Sequence, residues 1–156
     1  MAKKRRHTVL VDEHVHDWVA AVLMEYGFRV FKASRDSRFR GREEANYIGE
    51  LRRDNIAFVT QDREFVQRLT RGGMQHGGVI WLPKGWPEEA DIAVHAAAGM
   101  LLGALDQSSK GAHNLVIRIA DDGLYTIIKG REQLAWSVEQ LEFEIEEELA
   151  RRNLGG

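Results

Sequence analysis

Apolar positions along the chain switch period several times, from short continuous runs to stripes that repeat every three or four residues. Thr8 to Val11 is an apolar, β-branched-rich run that stops at Asp12 and Glu13, as a buried parallel strand stops at its carboxyl end. Val15, Trp18, Val19, Val22, Leu23 and Tyr26 then recur at helical spacing, and Gly27 follows as a stop, so a helix is expected there. Phe28 to Ala33, Ile56 to Thr60 and Gly78 to Leu82 read as further strands, the last closed by Pro83. Between them, Glu43 to Arg53 is expected to be a helix with Ile48 and Leu51 inward. Asp62 to Arg71 is a second such helix, with Phe65, Val66 and Leu69 on one face and Gly72 and Gly73 at its end. This alternation implies right-handed βαβ crossovers, hence an α/β fold of three layers built on a mainly parallel sheet.

Farther on, Glu88 to Leu105 reads as a long helix whose alanines and glycines permit close packing. Leu115 to Ala120 and Leu124 to Lys129 form a β-hairpin about Asp121-Asp122-Gly123. Arg131 to Arg152 is expected to be one added terminal helix, with Leu134, Val138, Leu141, Ile145 and Leu149 in a stripe. Trp136 and Phe143 each lie two positions, or about 200°, beyond a stripe residue, so a second cover is needed, either the domain itself or a partner. The expected organisation is a domain over residues 1–130 and a helical extension over 131–156, packed on that domain or on a partner.

Length and composition narrow the class. At 156 residues the chain matches one domain and is too short for a full (β/α)₈ barrel. Its 44% hydrophobic and 29% charged residues describe an ordinary globule. No apolar run approaches the roughly 20 residues that span a bilayer, and the opening MAKKRRH lacks the core of a signal peptide; a cytoplasmic protein away from membranes is expected. With no cysteine, a metal must be held by oxygen or imidazole. The net charge of −2 means that any attraction for polyanions must come from local placement. Arg35, Arg38, Arg40 and Arg42, with Phe39 among them, fall on the loop after the second strand. There they could grip phosphates or serve merely as a solvated loop. Lys3 to Arg6 emerge at the opposite end, and Glu142 to Glu148 make the tail acidic.

Ligands of parallel α/β sheets bind beyond the carboxyl ends of the strands, where loops and helix N-termini converge. Strand one delivers Asp12 and Glu13 to that edge, and the sequence FVTQDREF delivers Asp62 and Glu64. Glu44 shares the inward face of Ile48 and Leu51 and is preferred to Glu43, which is rotated by about 100° from it. Taken singly, Asp12 could be a loop residue, Asp62 a helix N-cap, Glu64 a solvated residue and Glu44 a helix-dipole partner. Taken together, these carboxylates would repel unless cations neutralise them, and Mg²⁺ or Mn²⁺ suits an oxygen-only set.

The segments LVDEHV, REEANYIGELRRDN, FVTQDREF and GVIWLP, in order from about Thr8 to Pro83, resemble the PIN-like family related to VapC-type toxins. The branch that the chain looks most like opens with LVDE, carries an acid at the start of its second helix and has a T-x-D-x-D-F motif. The resemblance implies a PIN-like fold with a C-terminal hairpin and a metal-dependent ribonuclease acting on RNA. It places Asp12, Glu44, Asp62 and Glu64 at the acidic positions, and implies an antitoxin protein or a second copy as partner. Glu64 stands where the family usually has aspartate, His14-Val15-His16 replaces an Asn-Leu-Pro-like opening, and the helix from Arg131 looks like an addition.

Two other readings compete. Asp12-Glu13-His14-Val15-His16-Asp17 contains the D-x-H-x-H spacing of amidohydrolase-like metal sites, although such barrels are longer and His76, His95 and His113 lie at no clear strand end. Alternatively, the chain is a weak or inactive PIN-like binding module that works through partner or self-association.

Overall fold

Strand formation follows burial. In the computed structural model, which describes residues 7–33, 44–84, 91–137, 139–143, 146–147 and 150, Thr8–Val11 (β1) and Ala57–Thr60 (β3) are buried almost throughout. Arg29–Lys32 (β2) lines the edge, while Val79–Trp81 (β4), Leu115–Ala120 (β5), Gly123–Ile128 (β6) and Arg131–Ser137 (β7) complete the sheet. The order is β2-β1-β3-β4-β5-β6-β7, parallel from β2 to β5 and antiparallel from β5 to β7.

The pleat sends alternate residues to opposite faces. Val9, Val11, Ala57, Val59, Ile80, Ile117 and Ile119 meet helices Asp17–Glu25 (α1) and Asp91–Gln107 (α4) on one face. Leu10, Phe58, Val79, Val116 and Ile127 meet Glu44–Arg53 (α2) and Arg63–Arg71 (α3) on the other. Fully burying each such aliphatic or aromatic side chain contributes about 1.5–3 kcal/mol. The three layers, helices on both faces and mainly parallel pairing are as the periodicity predicts. Gly27, at φ +88°, follows α1 as the expected stop. Among the described residues no helix is long and apolar enough to cross a membrane.

The crossovers are not uniform. β1 to β2 moves one way with α1 on its face, whereas β2 to β3 and β3 to β4 move the other way with α2 and α3 on the opposite face, which preserves one hand. β4 to β5 continues in that second direction, yet α4 lies beside α1. This crossover therefore has the opposite hand, against the strong general preference. Ala93, Val94, Ala97, Ala98 and Leu101 are buried, and these mostly small side chains let α4 lie close to α1. As a consequence, α4 adds no cover on the α3 side, where Val79, Val116 and Ile127 are buried but Trp81, Arg118 and Tyr125 are only half-buried.

The C-terminal region corrects the sequence reading. Arg131–Ser137 is a strand, not the start of a helix, so the hairpin is the first part of a three-stranded meander and residue 131 does not begin a helical extension. Lys129 and Gly130, at φ +52° and +77°, make the tight primed turn that twisted hairpins favour. Helical residues resume at 139–143, where Leu141 is buried on the α1/α4 face. Trp136 packs on that face too, whereas Leu134 is 48% exposed on β7, so Leu134 and Leu141 do not share one helical stripe; Val138, Ile145 and Leu149 lie outside the described residues. Arg35, Arg38, Arg40 and Arg42 lie outside the described residues, as does the expected start of the long helix at Glu88, whose described part begins at Asp91.

Candidate functional site

β1 is flanked by β2 on one side and β3 on the other, so the chain reverses direction across the sheet between β1 and β3. Loops diverge there and leave a crevice at the strands' carboxyl ends. Asp12 directly follows β1, and Asp62 follows β3 after one intervening residue.

Asp12 is 5% exposed, unusual for a carboxylate. Its backbone N–H donates to Val59 O at 2.9 Å, which extends the β1–β3 pairing by one residue. Oδ1 accepts from the Glu13 N–H at 2.8 Å and Oδ2 accepts from the Thr60 hydroxyl at 3.0 Å. Thr60 is fully buried, and its Oγ1 also accepts from the Asp62 N–H at 3.0 Å. One hydroxyl thus joins the ends of β1 and β3. Burial pushes the Asp12 carboxyl above its ordinary range, opposed by the hydrogen bonds from Thr60 and Glu13. A carboxylate offers roughly four acceptor positions; Asp12 uses one on each oxygen and keeps the rest.

Asp62 is the N-cap of α3, its Oδ1 accepting from the Phe65 N–H at 3.0 Å. The capping role is therefore real, and Oδ2 remains available. Asp12, Asp62 and Glu64 line one groove together with His14 and Gln61. Glu64 sits exposed on the first turn of α3. Glu44 is the first described residue of α2, whose expected start at Glu43 lies outside the described residues, as does the Glu44 side chain. Glu13, which the sequence brings to the same edge as Asp12, is exposed and outside the groove. His14 and His16 are also exposed, and only His14 reaches the groove.

Among the described residues no three His, Asp or Glu side chains are gathered to hold a metal ion. The donor chemistry nevertheless fits Mg²⁺, which is usually held by one or two carboxylates plus waters and substrate phosphate oxygens. Asp12, with lone pairs left on both oxygens, would be the acid best placed to accept a cation, which would favour its charged form.

The groove, of about 1530 Å³, continues past these acids along the α3 side of the sheet to Trp81, Arg118 and Glu132. Thr60 and Trp81 fall in the FVTQDREF and GVIWLP segments, but the sequence reading assigned no functional role to them or to Arg118. Thr60 was legible as a hydroxyl at a strand's last position, two residues before an acid; Trp81 and Arg118 become neighbours only through the β4–β5 register. Compared with family models, curated proteins and solved structures, the chain matches none.

Proposed function

We propose that the chain is a PIN-like, Mg²⁺- or Mn²⁺-dependent nuclease, a ribonuclease of toxin type that hydrolyses phosphodiesters with water. The observation that carries this reading is the hydrogen-bonded chain Asp62 N–H to Thr60 Oγ1 to Asp12 Oδ2, which couples two acids at the crevice between β1 and β3. The LVDEHV and FVTQDREF resemblance supports the family assignment.

In this reading Asp12 and Asp62 hold the ion, while Glu64 and Glu44 complete its shell directly or through water. A bound ion supplies a more acidic water and offsets charge on the phosphate. Thr60 keeps Asp12 in one orientation, so little reorganisation accompanies binding. Arg63, Arg71 and Lys84 line the groove and suit phosphate oxygens. An antitoxin protein or a second copy would meet the terminal region, where Phe143 is exposed, and the setting would be cytoplasmic.

The test is cleavage of single-stranded RNA with Mg²⁺ or Mn²⁺. Wild type should cleave, EDTA should stop it, and Asp12→Asn and Asp62→Asn should each abolish it while remaining folded, since asparagine caps helices about as well as aspartate. Absence of metal-dependent cleavage by the wild type across RNA and DNA substrates sinks the reading and favours the binding module.

A further inference from the structure

On the α3 side of the sheet, three planar side chains and a leucine stand in one row. Register pairs Trp81 with Arg118, Arg118 with Tyr125 and Tyr125 with Leu134, so these four stand side by side across β4, β5, β6 and β7. The Arg118 guanidinium carbon lies 4.4 Å from the Tyr125 ring centre and 5.9 Å from that of Trp81. Glu132 fixes the guanidinium by accepting from Nη2 at 2.6 Å and from Nε at 3.3 Å. Asp122 accepts from the Tyr125 hydroxyl at 2.6 Å, which anchors that ring from its far end.

Trp81, Arg118 and Tyr125 are each half-buried and the guanidinium covers one side of the Tyr125 ring, which leaves the remaining surface of the row open. Aromatic rings and guanidinium planes on an open sheet are how proteins stack unpaired nucleobases, and ordering the planes beforehand removes part of the entropy cost of binding. Two strand spacings separate Trp81 from Tyr125, about 10 Å, which admits more than one splayed base. Trp81, Arg118 and Glu132 line the same groove as Asp12 and Asp62, so a strand whose phosphate lay at the acids would run its neighbouring nucleotides over the row.

We infer that Trp81, Arg118 and Tyr125 form a stacking platform for the bases of single-stranded nucleic acid beside the candidate metal site. This deepens the nuclease reading, on which it rests for the direction of the strand. It predicts preference for single strands, because the bases of a duplex are already stacked on each other and cannot lie on the sheet.

Binding is measured in EDTA, where cleavage is off, with the full chain and labelled ten-nucleotide RNA, the same DNA sequence and the RNA duplex. Fluorescence anisotropy gives affinity and intrinsic tryptophan emission reports stacking. Single strands should bind more tightly than the duplex, and RNA against DNA decides which sugar is preferred. Tyr125→Ser should weaken single-strand binding by roughly 5- to 150-fold, the range for losing one stacked base, with duplex binding unchanged. Trp81→Phe keeps a ring and should retain affinity within about 2-fold while losing the quench that nucleic acid causes in wild type. Equal affinity for duplex and single strand, or Tyr125→Ser binding like wild type with the quench intact in Trp81→Phe, overturns the platform. So does a dimer dissolved by Tyr125→Ser, because a second copy would then cover the face. Binding as predicted without cleavage in any metal supports the platform and separately sinks the nuclease reading.

Discussion

Replacing Thr60 with valine tests the link between the two acids while leaving shape almost unchanged. The hydroxyl is fully buried, donates to the Asp12 carboxylate and accepts from the Asp62 N–H. A hydrogen bond to a charged group contributes about 1.5–3 kcal/mol and a neutral one about 0.5–1.5 kcal/mol. Asp62 is half-exposed, so water can take over part of the second term; the expected loss is about 2–3 kcal/mol. For a chain of this size that lowers Tm by about 4–12 °C. Thr60→Ser keeps the hydroxyl and loses only a methyl group, about 1 kcal/mol.

The penalty should also depend on pH. Asp12 already has a folded pKa above its ordinary 3.8, so its contribution to stability is largest below that value and fades as pH rises through the folded pKa. Without the Thr60 donor the folded pKa moves higher still. The valine variant should therefore lie closest to wild type under acid conditions and fall away as Asp12 ionises. Urea denaturation at several pH values measures this, together with Tm. Thr60→Val no less stable than Thr60→Ser, or a penalty that does not grow with pH, would refute the idea that Thr60 holds an ionisable Asp12 in place.

Two further expectations concern the scaffold. Burial, aided by the nearby charges of His113 and Arg52, pushes His76 down to about 4 from an ordinary 6.5, and its Nδ1 accepts from the Gly78 N–H at 3.1 Å. A lowered histidine stabilises the fold above the unfolded pKa and loses that contribution as pH falls through the folded one, about 3 kcal/mol in all. His76→Gln should flatten the fall in stability between pH 6.5 and 4 in denaturant titrations, and an unchanged slope would contradict this. Gly123 sits at φ +152° with room for no side chain, since a Cβ there would come 2.1 Å from Trp136 O. Gly123→Ala should cost about 2–5 kcal/mol by displacing β7; thermal unfolding within about 1 kcal/mol of wild type would show that β7 yields without loss.

Local sequence determined what depends on short-range pattern. Runs such as Thr8–Val11 and stripes such as Phe65, Val66 and Leu69 bury one face whatever lies across from them, so strand and helix types, the layering and the arrival of Asp12 and Asp62 at strand ends were legible. The segment after Ile128 was not. Glu132, Gln133, Leu134 and Ala135 favour helix locally, and only the Lys129-Gly130 turn and pairing with β6 made them a strand. Within it, the irregularity opposite Leu124 and Tyr125 leaves Ala135 unpaired and turns Leu134 and Trp136, two residues apart, to opposite faces. Nor does any local pattern record that α4 returns to the α1 side. That choice leaves the α3 side of the sheet without α4, while the β4–β5–β6 register brings Trp81, Arg118 and Tyr125 into one row on it, because both depend on contacts between elements distant in sequence.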